Sequence, residues 1–330
     1  MNAALLSPDP AAARPSGKRR LFKAALCAGA AVLMIFGAKR GADYLVLREI
    51  RARAPQVAAG LKMDPPENRG AYVIQKFSFE SAPGQKVPVT AVLPAADGRR
   101  HPTIIFLYGI GMKMKLYDEV SEAVTRAGFA LVIPEQYGRG ERAGVKSKGV
   151  EKFLDVRRRI VLTILETRRL ADELSGLPGV DPERIYLWGA SFGAMTGCPA
   201  MAYDQRFKAA VFTVAAGDLQ RIVRDSPYIR KKSIFSWEKA AAPLIAEIFR
   251  PFDPLLHVGR IAPRPLLFQN TLHDELLPVS AVQALYAAAG QPKDIRWYES
   301  PHDRPVRKAI EDAVRDGLAW LQEQDRALAK

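Results

Sequence analysis

The chain has 330 residues, room for one large α/β domain of roughly 250 residues plus an appendage. Hydrophobic residues at 48% and charged residues at 25% exclude a disordered or fibrous chain, and two cysteines, Cys27 and Cys198, cannot build a disulfide framework or a thiolate zinc site. The net charge of +14 does not point to nucleic acid: residues 1–55 carry +7, and the other +7 is spread over 275 residues with no basic helix interleaved with aromatics.

Residues 1–20 read as a disordered basic tail, rich in Ala, Pro and Ser and ending in Lys18-Arg19-Arg20. An apolar run follows from Ala24 to Ala38 and stops at Lys39-Arg40. It falls short of the roughly 20 residues that cross a bilayer, but adding Leu21 and Phe22, with Lys23 snorkelling, makes a span feasible. Residues 21–40 are therefore expected to form a single-pass, bacterial-type inner-membrane anchor. A cleaved signal, leaving a secreted or periplasmic protein, is the alternative. Its cleavage sites are poor, because Phe36 or Arg40 would stand at the −3 position. The two flanks carry equal numbers of Lys and Arg, so the charge rule ties; the more dispersed C-side charges favour a globular part outside the cytoplasm. Residues 41–70 read as a linker, and residues 71–330 as the main domain.

From about Ala71 strands alternate with helices. Residues 72–81 and 86–94, separated by Pro83-Gly84, read as an antiparallel pair. Six short runs follow: Thr103–Tyr108, Ala130–Pro134, Arg184–Trp188, Lys208–Val214, Pro265–Gln269 and Asp294–Tyr298. Helical patterns lie at Leu116–Ala127, Val150–Ser175, Ser191–Ala202, Ser280–Ala289 and Val306–Gln324. This rhythm predicts an α/β fold with a mostly parallel, eight-stranded sheet flanked by helices. About 45 residues between Ala216 and Ile261 break it, and a small helical cap is expected over 216–262.

The strongest local signal is Gly189-Ala190-Ser191-Phe192-Gly193, which follows the strand Ile185-Tyr186-Leu187-Trp188 and precedes a helix. Strand–turn–helix is the setting in which a G-x-S-x-G serine is held on a strained backbone with its hydroxyl exposed. A plain βα turn whose Ser191 merely caps the helix is the bland reading. A nucleophilic serine needs a base oriented by a carboxylate, and in this strand order the acid and then the histidine should follow later strands. Asp274 lies past the strand ending at Gln269, and His302 past the last strand, at spacings of 83 and 28 residues. Glu275 and Asp303 are alternative acids. His273 precedes the place a base should occupy, and His101 and His257 lie in surface-like polar contexts. Oxyanion donors are expected from the backbone N–H of Phe192 and, in the loop Tyr108-Gly109-Ile110-Gly111-Met112, of Ile110. Gly109 and Gly111 let that backbone approach an acyl oxygen.

With these motifs in hand, residues 72–324 resemble the α/β-hydrolase superfamily, nearest to its dienelactone hydrolase and acetyl xylan esterase-like branch. The similar stretches are Val180-Asp181-Pro182-Glu183-Arg184-Ile185, Ser191, Pro263–Pro278 around Asp274, and Gly138-Arg139-Gly140. Where many members have His-Gly this chain has Tyr108-Gly109, which leaves Tyr108 to join the hole or line the pocket. Prolyl oligopeptidase-like peptidases share the elbow region but carry a large N-terminal propeller, for which no candidate segment is seen. The resemblance implies a serine hydrolase acting on a small-molecule carboxylic ester, with no metal or organic cofactor and no nucleic-acid partner. An amide or peptide hydrolase on the same triad, and a non-catalytic binding protein, are the alternatives. Arg221, Arg224, Arg230, Lys231 and Lys232 in the cap hint at an anionic substrate or a membrane surface, or are a solvated basic face. The oligomeric state is not legible.

Overall fold

The computed structural model describes residues 17–52, 61–82, 84–95, 98–110, 117–144, 150–232, 243–244 and 246–328. The chain divides into two compact units, Met1–Glu49 and Ile50–Lys330. The first is dominated by α1 (Gly17–Arg51), which does not stop at Lys39-Arg40. Lys39 instead pairs with Asp43 one turn on, and the Arg40 guanidinium lies 5.1 Å from the Phe36 ring centre. Charges expected to bound the apolar run are thus internal to the helix, because good helix formers carry it onward. Among the described residues no helix is long and apolar enough to cross a membrane. The anchor expected over 21–40, and the membrane contact with it, gain no support. The tail at 1–16 lies outside the described residues.

The second unit is built on a ten-stranded sheet, two strands more than expected. The extra ones, β1 (Lys62–Met63) and β2 (Glu67–Asn68), fall in the stretch read as a linker and pair antiparallel with β3 (Tyr72–Ala82). Two-residue strands leave no periodicity to read. The others are β4 (Gln85–Pro94), β5 (His101–Leu107), β6 (Ala130–Pro134), β7 (Val180–Ala190), β8 (Phe207–Thr213), β9 (Leu266–His273) and β10 (Lys293–Pro301). Their order is β1-β3-β4-β6-β5-β7-β8-β9-β10, parallel from β6 to β10 and antiparallel before.

Alternation along the parallel strands divides the core into two layers. Ile105 and Leu107 of β5, Leu187 of β7 and Phe268 of β9 face α3 (Val150–Glu173) and α4 (Phe192–Ala202). Ile104, Tyr186, Trp188 and Leu267 face α2 (Tyr117–Arg126) and the C-terminal helix, Arg307–Leu328. The cap region holds α5 (Leu219–Asp225), α6 (Pro227–Lys232) and three 3-10 turns between Arg250 and Arg260, while residues 233–242 and 245 lie outside the described residues. After the cap come α7 (Val279–Ala288) and α8 (Arg307–Leu328).

His257, expected at the surface, is fully buried. Its Nε2 donates to the Pro251 carbonyl at 2.9 Å, leaving Nδ1 to accept from the Tyr203 hydroxyl at 3.1 Å. Burial, with Arg51 and Arg260 nearby, outweighs the Pro251 carbonyl and pulls its pKa from 6.5 to about 4. The unfolded chain therefore takes up a proton that the folded chain refuses. Stability from this group is full above pH 6.5 and is lost as pH falls toward 4, by about 3 kcal/mol in all. Urea midpoints measured across that range should fall less steeply in a His257→Gln variant; equal slopes would refute the assignment.

Candidate active site

β7 ends at Ala190, and the chain turns at once into α4. Ser191 sits at the turn with φ 52° and ψ −112°, a left-handed backbone that costs a non-glycine residue about 1–3 kcal/mol. Its N–H donates to the Thr213 carbonyl at 2.9 Å, and its own carbonyl accepts from Ala194 and Met195. A Cβ on Gly193 would lie 1.9 Å from the Leu107 carbonyl oxygen, and one on Gly189 2.5 Å from the Gly193 oxygen. Both positions must lack side chains for β5, β7 and α4 to meet here.

This geometry puts the Ser191 Oγ 3.1 Å from His302 Nε2. On the far side of the ring, His302 Nδ1 lies 2.7 Å from Asp274 Oδ2. A carboxylate only accepts, so Nδ1 carries the proton and Nε2 is left to accept from the serine. Asp274 is held in turn by the N–H groups of Leu276 at 2.9 Å and Leu277 at 2.7 Å, both reaching Oδ1. The carboxylate is nearly sealed at 4% exposure, against 12% for the imidazole. A hydroxyl, an imidazole and a carboxylate in this sequence can pass a proton from oxygen to nitrogen and hold the resulting charge.

Residues 167–325 match the family model described as the prolyl oligopeptidase family. YtaP of Bacillus subtilis (strain 168) is 21% identical over 301 residues, 84% of this chain and 97% of that protein. Among solved structures, acetyl xylan esterase 1 from Thermoanaerobacterium sp. JW/SL YS485 superposes with a TM-score of 0.64 at 18% identity, over 84% of this chain and 93% of the other. The acetyl xylan esterase from Paenibacillus sp. R4 gives 0.63 at 19% identity, over 84% and 92%. The chain has the α/β-hydrolase fold.

In an α/β-hydrolase the loops after the parallel strands form the site, and here they supply every remaining candidate that is described. Phe192 is the first residue of α4, so its N–H is one of the first-turn donors without a partner inside the helix. Ile110, 65% exposed, follows β5 and lines the same cavity as Ser191 and Gly109. Gly111 lies outside the described residues. Tyr108 also lines the cavity, and its hydroxyl oxygen accepts from the Gln136 N–H at 2.9 Å while Gln136 Nε2 donates to the Tyr108 carbonyl at 2.8 Å. Burial raises the Tyr108 pKa against the pull of that N–H, so the phenol stays neutral.

Three positions were missed by sequence reasoning or given another part there. Arg159 Nη2 donates to Gln136 Oε1 at 2.9 Å, and its guanidinium covers the Phe192 ring at 4.6 Å. Burial, then the neighbouring Arg139 charge, lowers its pKa to about 10. Arg159 and Gln136 thus brace both segments from which oxyanion donors were expected. Glu275, weighed as an alternative acid, instead accepts the backbone N–H of His302 at 3.0 Å and of Asp303 at 3.3 Å. Burial pushes its pKa up, but its own N–H, those two amides and the His302 ring together hold it below the usual range. Its carbonyl accepts from the Tyr228 N–H in α6 at 2.7 Å, tying the cap to the histidine loop.

Glu275→Gln is expected to lower kcat about tenfold with KM nearly unchanged, because a loosened His302 loop costs orientation rather than binding. Glu275→Ala should cost more. An increase in KM at constant kcat would assign Glu275 to binding instead.

Proposed function

We propose that the protein is a serine hydrolase that cleaves a small-molecule carboxylic ester through an acyl-enzyme. The observation that carries the reading is the unbroken chain Ser191 Oγ–His302 Nε2, His302 Nδ1–Asp274 Oδ2, at 3.1 and 2.7 Å, on a left-handed serine. Ser191 Oγ attacks the carbonyl carbon as its proton passes to His302 Nε2. Charge on the tetrahedral oxygen is met by the N–H groups of Phe192 and Ile110, each worth about 3–4 kcal/mol in the transition state. The C–O bond then breaks as His302 returns the proton to the departing alcohol. Water, deprotonated by the same imidazole, attacks the acyl-serine, frees the acid and restores the hydroxyl. Asp274 keeps the ring in one tautomer and stabilises its cationic form throughout.

Support for an ester over other acyl substrates comes from the esterases that share the fold. The match to the prolyl oligopeptidase family over residues 167–325 favours a second reading, amide or peptide cleavage on the same triad. The two separate on matched 4-nitrophenyl ester and 4-nitroanilide substrates. The ester should win by roughly a hundredfold, about 2.7 kcal/mol of barrier; comparable turnover of the anilide would move the assignment to peptides.

A further inference from the structure

The cavity at Ser191 holds about 430 Å³. An acetyl group would fill only a small part of it. Its wall is apolar: Val120 and Val124 of α2, Leu131 and Ile133 of β6, and Ile310 and Val314 of α8. Among the described residues no Lys or Arg lines it.

Thr271, Ser300 and the exposed Asp303 also line the cavity, while the polar groups running from Trp188 to Tyr298 are already matched to one another. Trp188 Nε1 donates to Thr213 Oγ1 at 2.9 Å, and Thr213 donates to Gln269 Oε1 at 2.9 Å. Gln269 Nε2 donates to the Tyr298 hydroxyl at 3.1 Å and the Ala313 carbonyl at 2.7 Å, and Tyr298 donates to Asp316. A ligand arm carrying hydroxyls or charge would be desolvated there with few free partners, whereas an alkyl or aryl arm loses nothing. Nor do Arg221 and Arg224 of the cap argue for an anionic arm: Arg221 pairs with Asp218 at 3.0 Å and Arg224 with Asp225 at 2.8 Å.

We infer that the site is built for an ester with one long apolar arm, of about six carbons or more, and discriminates against acetyl and sugar-like arms. This rests on the ester-hydrolase reading above. The arm belongs to either the acyl or the alcohol half, and the test separates the two.

Two series are compared: 4-nitrophenyl esters from acetyl to dodecanoyl, and acetates of alcohols from ethanol to decanol followed by acetic acid release. In one series kcat/KM should rise by up to about fourfold per methylene until the cavity is full. The series that rises names the half. Ala313→Phe, whose ring would occupy the cavity, should lower the octanoyl-to-acetyl ratio, or its alcohol equivalent, at least tenfold. Ala309→Leu, at a half-buried lining position, repeats the test should the larger side chain prevent folding. Flat profiles, or a preference for acetyl with ethanol, in an active enzyme would overturn the inference and leave the hydrolase reading intact.

Binding supplies the converse control. Ser191→Ala protein titrated with ethyl octanoate, octyl acetate and ethyl acetate should bind one of the first two at least tenfold more tightly than ethyl acetate, even where no ester is turned over. Equal binding would again overturn it.

Discussion

Replacing Ser191 with alanine is expected to lower ester turnover at least about a thousandfold while the protein stays folded. The base and the oxyanion donors have no covalent step to assist once the hydroxyl is gone. Because the three groups act in series, the Ser191→Ala, His302→Ala double variant should be no slower than the single one. Steady-state rates on one 4-nitrophenyl ester decide it, with thermal melts to check folding. Retention of a tenth of the activity in Ser191→Ala would sink the nucleophile assignment. A further large loss in the double variant would mean that the imidazole acts by itself. Alanine at 191 should also relieve none of the backbone strain, since it too has a Cβ at φ 52°.

The second large effect lies outside the chemistry. Arg142 and Glu166 form a two-pronged pair, Nη1 to Oε2 at 2.7 Å and Nη2 to Oε1 at 2.6 Å, with side chains only 8% and 4% exposed. Ser81 donates to the same carboxylate at 3.0 Å, and Arg142 also reaches the Glu135 carbonyl at 2.9 Å. The pair therefore ties the loop after β6, which carries Gln136, to α3. Glu166→Met should destabilise the protein by about 3–5 kcal/mol, because it strands a buried guanidinium. Replacing both residues by methionine should recover most of that loss, since the cost comes from the unpaired charge. Urea unfolding of both variants would test this; a single variant within about 1 kcal/mol of the parent would show that water reaches Arg142.

What could be read in advance follows from how local each signal is. β6 was legible to the residue, Ala130–Pro134, because a strand buried on both faces is an uninterrupted apolar run. β7 starts at Val180, four residues before the expected run Arg184–Trp188, because Asp181-Pro182-Glu183 looks like a turn and yet continues the strand through a register shift against β5. Ser191, Asp274 and His302 could be nominated from their order after successive strands, and the structure brings them within hydrogen-bonding distance. The Glu275 clamp and the Arg159–Gln136 brace could not. Each joins segments more than twenty residues apart through side chains that also suit a solvated surface. His257 was misjudged for a related reason: its neighbours Leu256 and Val258 belong to 3-10 turns, which leave no amphipathic period to reveal burial.

The chain order of these parts also bears on synthesis. Ser191 leaves the ribosome 111 residues ahead of His302, and β10 is made after every other strand of the sheet. A nascent chain carries the strained serine, its elbow and the β5–β8 wall of the cavity well before it owns an imidazole to activate them. On the proposed mechanism, competence therefore waits until β10 docks on β9 and α8 closes the cavity. By the same mechanism, a product truncated anywhere before His302 should show no esterase activity however well its earlier strands have paired.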